Sequence, residues 1–475
     1  MTEARVPGSS AHRWVLTTLG LAEFLVLLET TIVNVALGDA ARALRFSPAD
    51  RQWLVTAYLL AFGSLLPLGG RLSDLFGRRR LLVVGLAGFA AASVLGGLAG
   101  SFSVLLVARV AQGVFAALIA PAALAALTTT FALARDRSRA VTLYGVLGAS
   151  AAALGLLVGG ALTQWATWRW CLYAGAVLAA AALVGVVLVL GDSRGPRGRL
   201  DVVGAALSTG GLVGVVFGLS HATNASWVAP ATILPLLGGG ALLALFLARE
   251  ARARDPLVPP RVLLGRTRGG SFLALGLAGT ALFAIYLLLA YYLEGTLGFT
   301  PLEAGLAFTP LVGAVIFSAS FASFRLMHTT GPKPLVPVGL FLAALGVVLF
   351  TRLDVTSGYL TKVAPGLFLV GLGLGLVVAP AVAGATGRVE ARDAGAASAL
   401  VVAFQQIGAS LGTALLSSVA ATVSARALAA DPADASGAAL HGYNVALWWA
   451  AAIFAAGAVA TYGLMEGGPA PEAGT

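Results

Sequence analysis

The chain has 475 residues, of which 59% are hydrophobic and only 11% are charged, and its mean hydropathy is +0.92. A soluble protein carries about 25% charged residues, so this composition excludes a soluble globular domain and indicates an integral membrane protein. The net charge of +10 does not indicate a nucleic-acid partner, because the basic residues lie in short loops between apolar runs rather than along a groove.

Apolar stretches long enough to cross a bilayer follow one another along the whole chain. We therefore predict an all-α integral membrane protein with fourteen transmembrane helices and the lipid bilayer as its surroundings. The predicted spans are residues 14–38, 52–70, 81–101, 104–132, 140–163, 171–190, 202–220, 231–248, 270–294, 304–324, 335–351, 363–386, 395–424 and 443–465.

Two landmarks recur about 254 residues apart, which suggests a duplicated membrane unit. Residues 46–50 (FSPAD) are echoed by residues 299–303 (FTPLE), and the pattern Arg-Leu, Gly, Arg at 71, 77 and 79 is echoed by Arg-Leu, Gly, Lys at 325, 331 and 333. We predict two six-helix halves plus two linking helices. The predicted divisions are a cytoplasmic tail at 1–13, a first half at 14–190, two linking helices with a basic connector at 191–268, a second half at 269–465 and a tail at 466–475.

Basic residues are distributed unevenly between the two sides of the predicted membrane. If the N-terminus is cytoplasmic, the cytoplasmic segments hold about three times as many basic residues as the outer loops. We therefore predict a multi-pass protein of the cell membrane with both termini in the cytoplasm. The preference for arginine over lysine, together with abundant Ala and Gly, indicates a GC-rich and therefore bacterial source.

Three ionisable residues fall deep inside predicted spans: Glu23 and Glu29 in the first and Arg109 in the fourth. Such residues are costly in a membrane and are functional candidates. A buried arginine stays charged and seeks a carboxylate, so pairing of Arg109 with Glu29 or Glu23 would make a proton-sensitive switch. Two simpler interpretations stay open: the pair only ties two helices together, or Glu23 reaches water at the cytoplasmic end.

Polar residues share helix faces with these charges. At 100° per residue, Glu23, Thr30 and Asn34 form one stripe on the first helix, and Gln112 shares a face with Arg109. We place Asn34 and Gln112 among the residues that line a substrate cavity.

Asp74 lies at the cytoplasmic end of the second span, within a basic turn that contains Arg71, Gly77, Arg78 and Arg79. It could pair locally with the arginines and stabilise the turn. Alternatively, it could hold the end of a helix from the other half and so latch the cytoplasmic side closed. We predict the latch.

The fifth span is rich in glycine. Gly148, Gly155 and Gly159 lie on one smooth face, with Gly160 beside them, where another helix can approach closely. Close packing and a role in gating both fit this pattern.

The second half offers aromatic and amide side chains in place of buried charge. We predict that Tyr286, Tyr291, Phe308, Gln405 and Gln406 line an apolar cavity that suits lipophilic ligands, including cationic ones. Ordinary helix packing is the simpler explanation for most of the aromatic residues.

No catalytic or cofactor motif stands out in the sequence. The four histidines lie in tails or loops without metal-ligand spacing, the single cysteine is Cys171, and there is no Walker loop. We expect no metal, no cofactor and no enzymatic activity.

Several segments together resemble the major facilitator superfamily and, within it, the fourteen-span drug:proton antiporters. They are residues 28–37 (LETTIVNVAL), 70–80 (GRLSDLFGRRR), 109–113 (RVAQG), 155–160 (GLLVGG), 291–294 (YYLE) and 405–408 (QQIG). The resemblance implies alternating access, drug export and proton coupling. It also implies that Glu29 binds and releases protons or cations and that Arg109 has a relay role beside it. Asp74 with its neighbouring arginines would form a conformational latch.

The chain departs from the family pattern at four positions. The first-helix acid is Glu29 rather than Asp, Leu156 replaces a proline of the antiporter motif, Gly38 replaces the proline that closes the first-helix signature, and His328 occupies the repeat position of Asp74. Because Leu156 replaces that proline, the resemblance does not imply a kink in the fifth helix or strict antiport for this chain.

We therefore predict proton-coupled efflux of lipophilic drugs or antibiotics by a monomer, with a small lipophilic molecule and protons as partners. Two alternatives stay open. One is proton-coupled uptake or exchange of a small polar solute, which would require more polar side chains in the second half. The other is a membrane-embedded transferase, which would require an acid or histidine cluster at the membrane surface.

Overall fold

The computed structural model describes residues 9–46, 48–131, 134–191, 200–222, 227–253, 256–258, 260–263, 265–354, 357–387, 389–390 and 393–466. The first half and the linking helices contain α1 (Ser9–Leu44), α2 (Pro48–Phe76), α3 (Arg78–Gly97), α4 (Phe102–Thr130), α5 (Ala134–Trp165), α6 (Arg169–Val189), α7 (Val202–Ala222) and α8 (Pro230–Glu250). After the short α9 (Pro260–Leu263) come α10 (Arg266–Gly295), α11 (Pro301–Leu306), α12 (Thr309–Phe321), α13 (Met327–Thr330), α14 (Pro332–Phe350), α15 (Ala364–Thr386), α16 (Ala394–Ala430) and α17 (Ala435–Leu464). Two π-helical turns, Ala322–Leu326 and Tyr359–Val363, adjoin α12 and α15.

Twelve helices of the described chain are long and apolar enough to cross a membrane, and they coincide with twelve of the fourteen predicted spans. The two remaining predicted spans, 140–163 and 270–294, lie on α5 and α10, which are 32 and 30 residues long but are not among the twelve. The all-α membrane fold is confirmed, whereas the count of fourteen spans stays a prediction.

The two halves repeat one pattern of helix packing. In the first half α1 packs on α5, α2 on α4, and α3 on both α4 and α6. In the second half α10 packs on α16, α12 on α15, and α14 on both α15 and α17. Gly77 and Gly331, the echoed glycines, precede α3 and α14 with φ angles of 91° and 70°, a backbone region that favours glycine. The sequence echo therefore marks equivalent turns.

The halves meet along two seams. At one seam α2 packs on α16, and at the other α5 packs on α11 and α12. The linking helices α7 and α8 pack on each other, and α7 also contacts both α2 and α16. The rings of Trp53 and Phe217 lie 5.8 Å apart, and Trp227 Nε1 donates a hydrogen bond of 2.6 Å to Ser418 Oγ. The linking pair thus lies over the seam between α2 and α16 and touches both halves.

Candidate transport site

Glu29 on α1 and Arg109 on α4 are buried against each other in the first half. Their relative exposures are 0% and 1%, and Arg109 Nη1 lies 3.1 Å from Glu29 Oε1. The structure therefore pairs Arg109 with Glu29, one of the two acids that the sequence offered as its partner. Removing one partner from such a pair leaves an uncompensated charge in an apolar interior, which is strongly destabilising.

Gln112 and Ser93 extend the ion pair into a hydrogen-bonded network. Gln112 Nε2 donates to Glu29 Oε1 and to Ser93 Oγ, both at 2.9 Å, and Gln112 Oε1 accepts from Arg109 Nη1 at 2.9 Å. Gln112, which was predicted to line a substrate cavity, hydrogen-bonds both members of the ion pair in this structure. Ser93 was missed by the sequence reasoning, although a lone polar residue within an apolar span is a usable signal.

Tyr58 and a backbone carbonyl hold the other side of the guanidinium. The ring centre of Tyr58 lies 4.4 Å from Arg109 Cζ, and Arg109 Nε donates to the carbonyl oxygen of Leu54 at 3.2 Å. The hydroxyl of Tyr58 donates to the carbonyl oxygen of Val26 at 3.0 Å, so the aromatic ring also joins α2 to α1. Cation–π contact and hydrogen bonding together stabilise a charge that has left water.

A cavity of about 150 Å³ lies between the two halves. Side chains of α1, α2, α4 and α5 line it on one side, and side chains of α10, α12, α15 and α16 line it on the other. Its walls are mainly aliphatic; the polar side chains are Glu23, Thr30, Tyr144, Gln405 and Gln406. Glu29 does not line it, so the two acids of α1 occupy different environments.

Two aromatic residues of the second half that were predicted to line a substrate cavity, Tyr286 and Phe308, contact each other in this structure. Their rings pack against each other at 4.5 Å, and neither lines the cavity. The simpler explanation, helix packing between α10 and the start of α12, accounts for them. Gln405 and Gln406 line this cavity, and their contact with a substrate stays a prediction. The side chains of Asn34 and Tyr291 lie outside the described residues.

Glu23 is the acid of the cavity. The hydroxyl of Tyr144 on α5 donates to Glu23 Oε2 at 2.7 Å, and both residues line the cavity. Glu23 is therefore held between α1 and α5 rather than extended toward the membrane surface. Sequence reasoning missed Tyr144, which lies one helical turn before Gly148 and thus on the glycine face.

The glycine face of α5 packs against α1. A Cβ atom on Gly155 would lie 3.0 Å from the carbonyl oxygen of Leu28, and one on Gly159 would lie 2.9 Å from that of Ile32. Gly148 of α5 lies beside Leu27 of α1. Gly160 differs, because a Cβ there would meet nothing within 4 Å. Three of the four predicted glycines therefore permit close approach of α1, and Gly160 does not take part.

Asp74 joins the two halves at the predicted cytoplasmic end. Its Oδ1 accepts a hydrogen bond from the backbone N–H of Gly395 at 3.0 Å, and its Oδ2 accepts one from Ala396 at 3.3 Å. These N–H groups open α16, where the helix dipole favours an anion. Asp74 therefore does more than stabilise its own turn, because both bonds cross to the second half.

The arginines around Asp74 have separate contacts. Arg78 lies 4.0 Å from Asp74 and donates to Thr129 Oγ1 on α4 at 3.1 Å. Arg79 donates to the carbonyl oxygen of Val187 on α6 at 3.0 Å, and Arg71 lies within electrostatic reach of Asp74. Two of the three thus fix the basic turn to the first half, so that Asp74 is presented to α16 from a rigid base.

The model of the Major Facilitator Superfamily matches residues 19–202 and 198–413. A puromycin resistance protein, pur8, of Streptomyces alboniger is 43% identical over 459 residues, which cover 95% of this chain and 91% of that protein. The cephamycin export protein CmcT of Amycolatopsis lactamdurans is 36% identical over 402 residues, or 84% of this chain and 83% of that protein.

Solved structures share the fold at low sequence identity. The proton:xylose symporter XylE aligns with a TM-score of 0.68 and 14% identity, covering 98% of both chains. The human organic anion transporter MFSD10 aligns with a TM-score of 0.66 and 17% identity, covering 95% of this chain and 99% of that one. At such identities the comparison concerns the fold alone.

Replacement of Gly159 by alanine tests the α1–α5 contact. The added methyl would meet the Ile32 carbonyl oxygen at 2.9 Å, so we expect the Gly159→Ala protein to lose thermal stability and transport. Gly160→Ala is the matched control, since its methyl enters open space. The melting temperatures of the two purified variants provide the measurement, and equal values would contradict this packing.

Replacement of Asp74 by asparagine tests the latch. The neutral side chain keeps the size but loses the charge that favours the N-terminus of α16, so the predicted cytoplasmic side should open more often. Spin labels on the predicted cytoplasmic ends of α2 and α16 would report a larger population of long distances. Asp136→Asn, at an exposed position, is the control. An unchanged distance distribution in Asp74→Asn would argue against the latch.

A double-mutant cycle separates the structural and functional roles of the ion pair. Glu29→Gln and Arg109→Gln should each destabilise the protein by about 3–5 kcal/mol, because each leaves one buried charge without its partner. The double variant, with no charge to compensate, should recover much of that stability.

Thermal unfolding and substrate export are measured on all three proteins. Export should be lost in each, including the double variant. A stable double variant that still exports would show that the pair only ties α1 to α4.

Proposed function

Because the chain belongs to the major facilitator superfamily, we propose that it exports lipophilic drugs or antibiotics by alternating access, driven by inward proton flow. The observation that carries this proposal is the mainly aliphatic cavity between the two halves, which contains one acid and has few other polar groups. Such a cavity favours lipophilic ligands over sugars or other highly hydrated solutes.

The geometry supports alternating access. A cavity of about 150 Å³ holds about one aromatic ring, so a drug-sized molecule enters only when the halves move apart. The Asp74 contact with α16 holds the halves together at one end through two hydrogen bonds to backbone groups. When these bonds break, Asp74 is not left as an unpaired charge, because Arg78 stays beside it. The contact is thus suited to repeated opening.

The relatives support the antibiotic class. The puromycin resistance protein and the cephamycin export protein are both similar to this chain over more than four fifths of its length. Their two drugs differ chemically, so the comparison supports export of an antibiotic or a similar natural product without naming it. Bacterial relatives and many apolar helices make this a bacterial multi-pass membrane protein. A monomer with both termini in the cytoplasm completes the proposal.

We assign proton coupling to the Glu29–Arg109 network. Protonation of Glu29 would remove its charge from Arg109 and weaken a contact that joins α1 to α4. A proton that crosses about 100 mV and one pH unit releases about 3.7 kcal/mol, enough for a gradient of several hundredfold. For an uncharged substrate one proton per cycle is therefore sufficient, whereas exchange of a monovalent cation for one proton moves no net charge and draws on the pH gradient alone.

The two alternatives have less support. Uptake of a small polar solute would require more hydrogen-bonding groups than the cavity offers. A membrane-embedded transferase would require an acid or histidine cluster at the membrane surface. The match to the superfamily model supports a transporter instead of a transferase.

Export is tested by expression in a bacterial host that lacks its own efflux pumps. The protein should raise resistance to lipophilic antibiotics, and a protonophore should cancel the effect. Proteoliposomes with an imposed pH gradient should accumulate ethidium, and Glu29→Gln proteoliposomes should not. Undiminished transport after collapse of both the pH gradient and the voltage would contradict proton coupling.

A further inference from the structure

The two acids of α1 have different partners, and the difference points to different tasks. Glu29 is fully buried, paired with Arg109 and absent from the cavity lining. Glu23 lines the cavity, and none of the ion pairs in the described part of the chain includes it. The cavity therefore presents a carboxylate that has no ion-pair partner within the described part of the chain.

The two oxygens of Glu23 are also used differently. Oε2 accepts the hydrogen bond from Tyr144, which fixes the orientation of the carboxylate. For Oε1 no hydrogen bond is found among the described residues. The neighbouring position on α5 is Gly148, where a Cβ would lie 3.9 Å from Oε1. The glycine thus leaves this oxygen uncovered toward the cavity.

The opposite wall offers a hydrogen-bond donor. Gln406 of α16 lines the cavity, and its Nε2 is buried without a partner in the described structure. A buried amide donor without an acceptor is unfavourable. A ligand with an oxygen acceptor on this side would satisfy it.

From this juxtaposition we infer that Glu23, positioned by Tyr144, binds a protonated amine of the exported molecule, while Gln406 donates to an oxygen of the same molecule. The substrate class is then a lipophilic amine that also carries a carbonyl, sulfonyl or similar acceptor. The inference rests on the proposed export function, whose proton-coupling step is assigned to the other acid.

The aliphatic walls strengthen the amine contact. A cation that enters the cavity loses water to mainly aliphatic walls, and the carboxylate of Glu23 is the anionic group in the lining that can compensate for that loss. A charge-assisted hydrogen bond of this kind changes affinity by about tenfold to a hundredfold. A neutral molecule of the same shape should gain nothing from Glu23.

A matched pair of fluorescent probes tests the amine subsite in purified protein in nanodiscs. Dansylcadaverine carries a primary amine and a sulfonyl group, and its N-acetyl derivative keeps the sulfonyl but has no charge. Wild-type protein should bind the amine at least tenfold more tightly than the acetylated probe. Glu23→Gln should remove that preference and leave binding of the acetylated probe unchanged, which also shows that the variant is folded.

Three further variants define the roles. Glu29→Gln should keep the amine preference, because Glu29 does not line the cavity. Tyr144→Phe should reduce the preference several-fold without affecting the acetylated probe, as expected of a positioning residue. Gln406→Leu should weaken both probes to a similar degree, since both carry the sulfonyl acceptor.

The inference is overturned if wild-type protein binds the two probes equally or binds neither, if Glu23→Gln retains the preference, or if Glu29→Gln loses it. Unchanged binding of both probes to Gln406→Leu overturns the part assigned to that residue. Failure of the export proposal looks different, because it appears as absence of ethidium accumulation in proteoliposomes while the probe preferences persist.

Discussion

The first half depends on two opposite charges, Glu29 and Arg109, that are buried together between α1 and α4. Neither charge is tolerable alone in the membrane interior, so the two helices must stay in register for as long as both groups are ionised. Gln112 and Ser93 add hydrogen bonds from α4 and α3, and Tyr58 covers the guanidinium from α2. Four helices of one half are therefore organised around a single ion pair, and a change in its charge reaches all four.

Close packing of α5 carries this organisation to the cavity. Gly155 and Gly159 bring α5 against α1 within one turn of Glu29, and Tyr144 of the same helix holds Glu23. Since α5 also contacts α11 and α12, a shift of α1 that displaces α5 alters the contacts at the seam between the halves. Proton binding at Glu29 can thus be transmitted to this seam through α1 and α5, while the discrimination between amine and neutral ligands stays with Glu23, because the two carboxylates do not share a site.

Much of the fold followed from the sequence, because long apolar runs and a repeated motif have few structural solutions in a membrane. The echo of Arg71 and Gly77 by Arg325 and Gly331 identified equivalent turns correctly, since a positive φ at glycine and a basic loop leave a clear pattern. That Arg109 pairs with an acid of the first helix was also foreseen, because a buried arginine requires an acid, but the sequence left the choice between Glu29 and Glu23 open. The direction of a side chain around its helix was harder to foresee.

Gln112, Tyr286 and Phe308 show why the direction of a side chain around its helix is hard to predict from sequence. Helical periodicity places Gln112 on the same face as Arg109, but it cannot say whether that face meets the cavity or the neighbouring helices. Tyr286 and Phe308 are large and apolar enough to suit either a ligand or another ring, and the structure packs them together. Tyr144 was missed for the opposite reason, since a single tyrosine in a glycine-rich span has no pattern. Such choices depend on contacts between helices that are distant in sequence.

The linking helices add a constraint that the twofold repeat does not contain. α7 contacts α2 more extensively than it contacts α16, and the ring of Phe217 lies against Trp53 of α2. The link of the α7–α8 pair to the second half includes one hydrogen bond, from Trp227 between the two helices to Ser418. Separation of α2 from α16 therefore disrupts fewer contacts if the linking pair stays with the first half. The seam between α5 and α12 has no such cover in the described structure, so the two seams of this transporter are not equivalent even though the halves they join are.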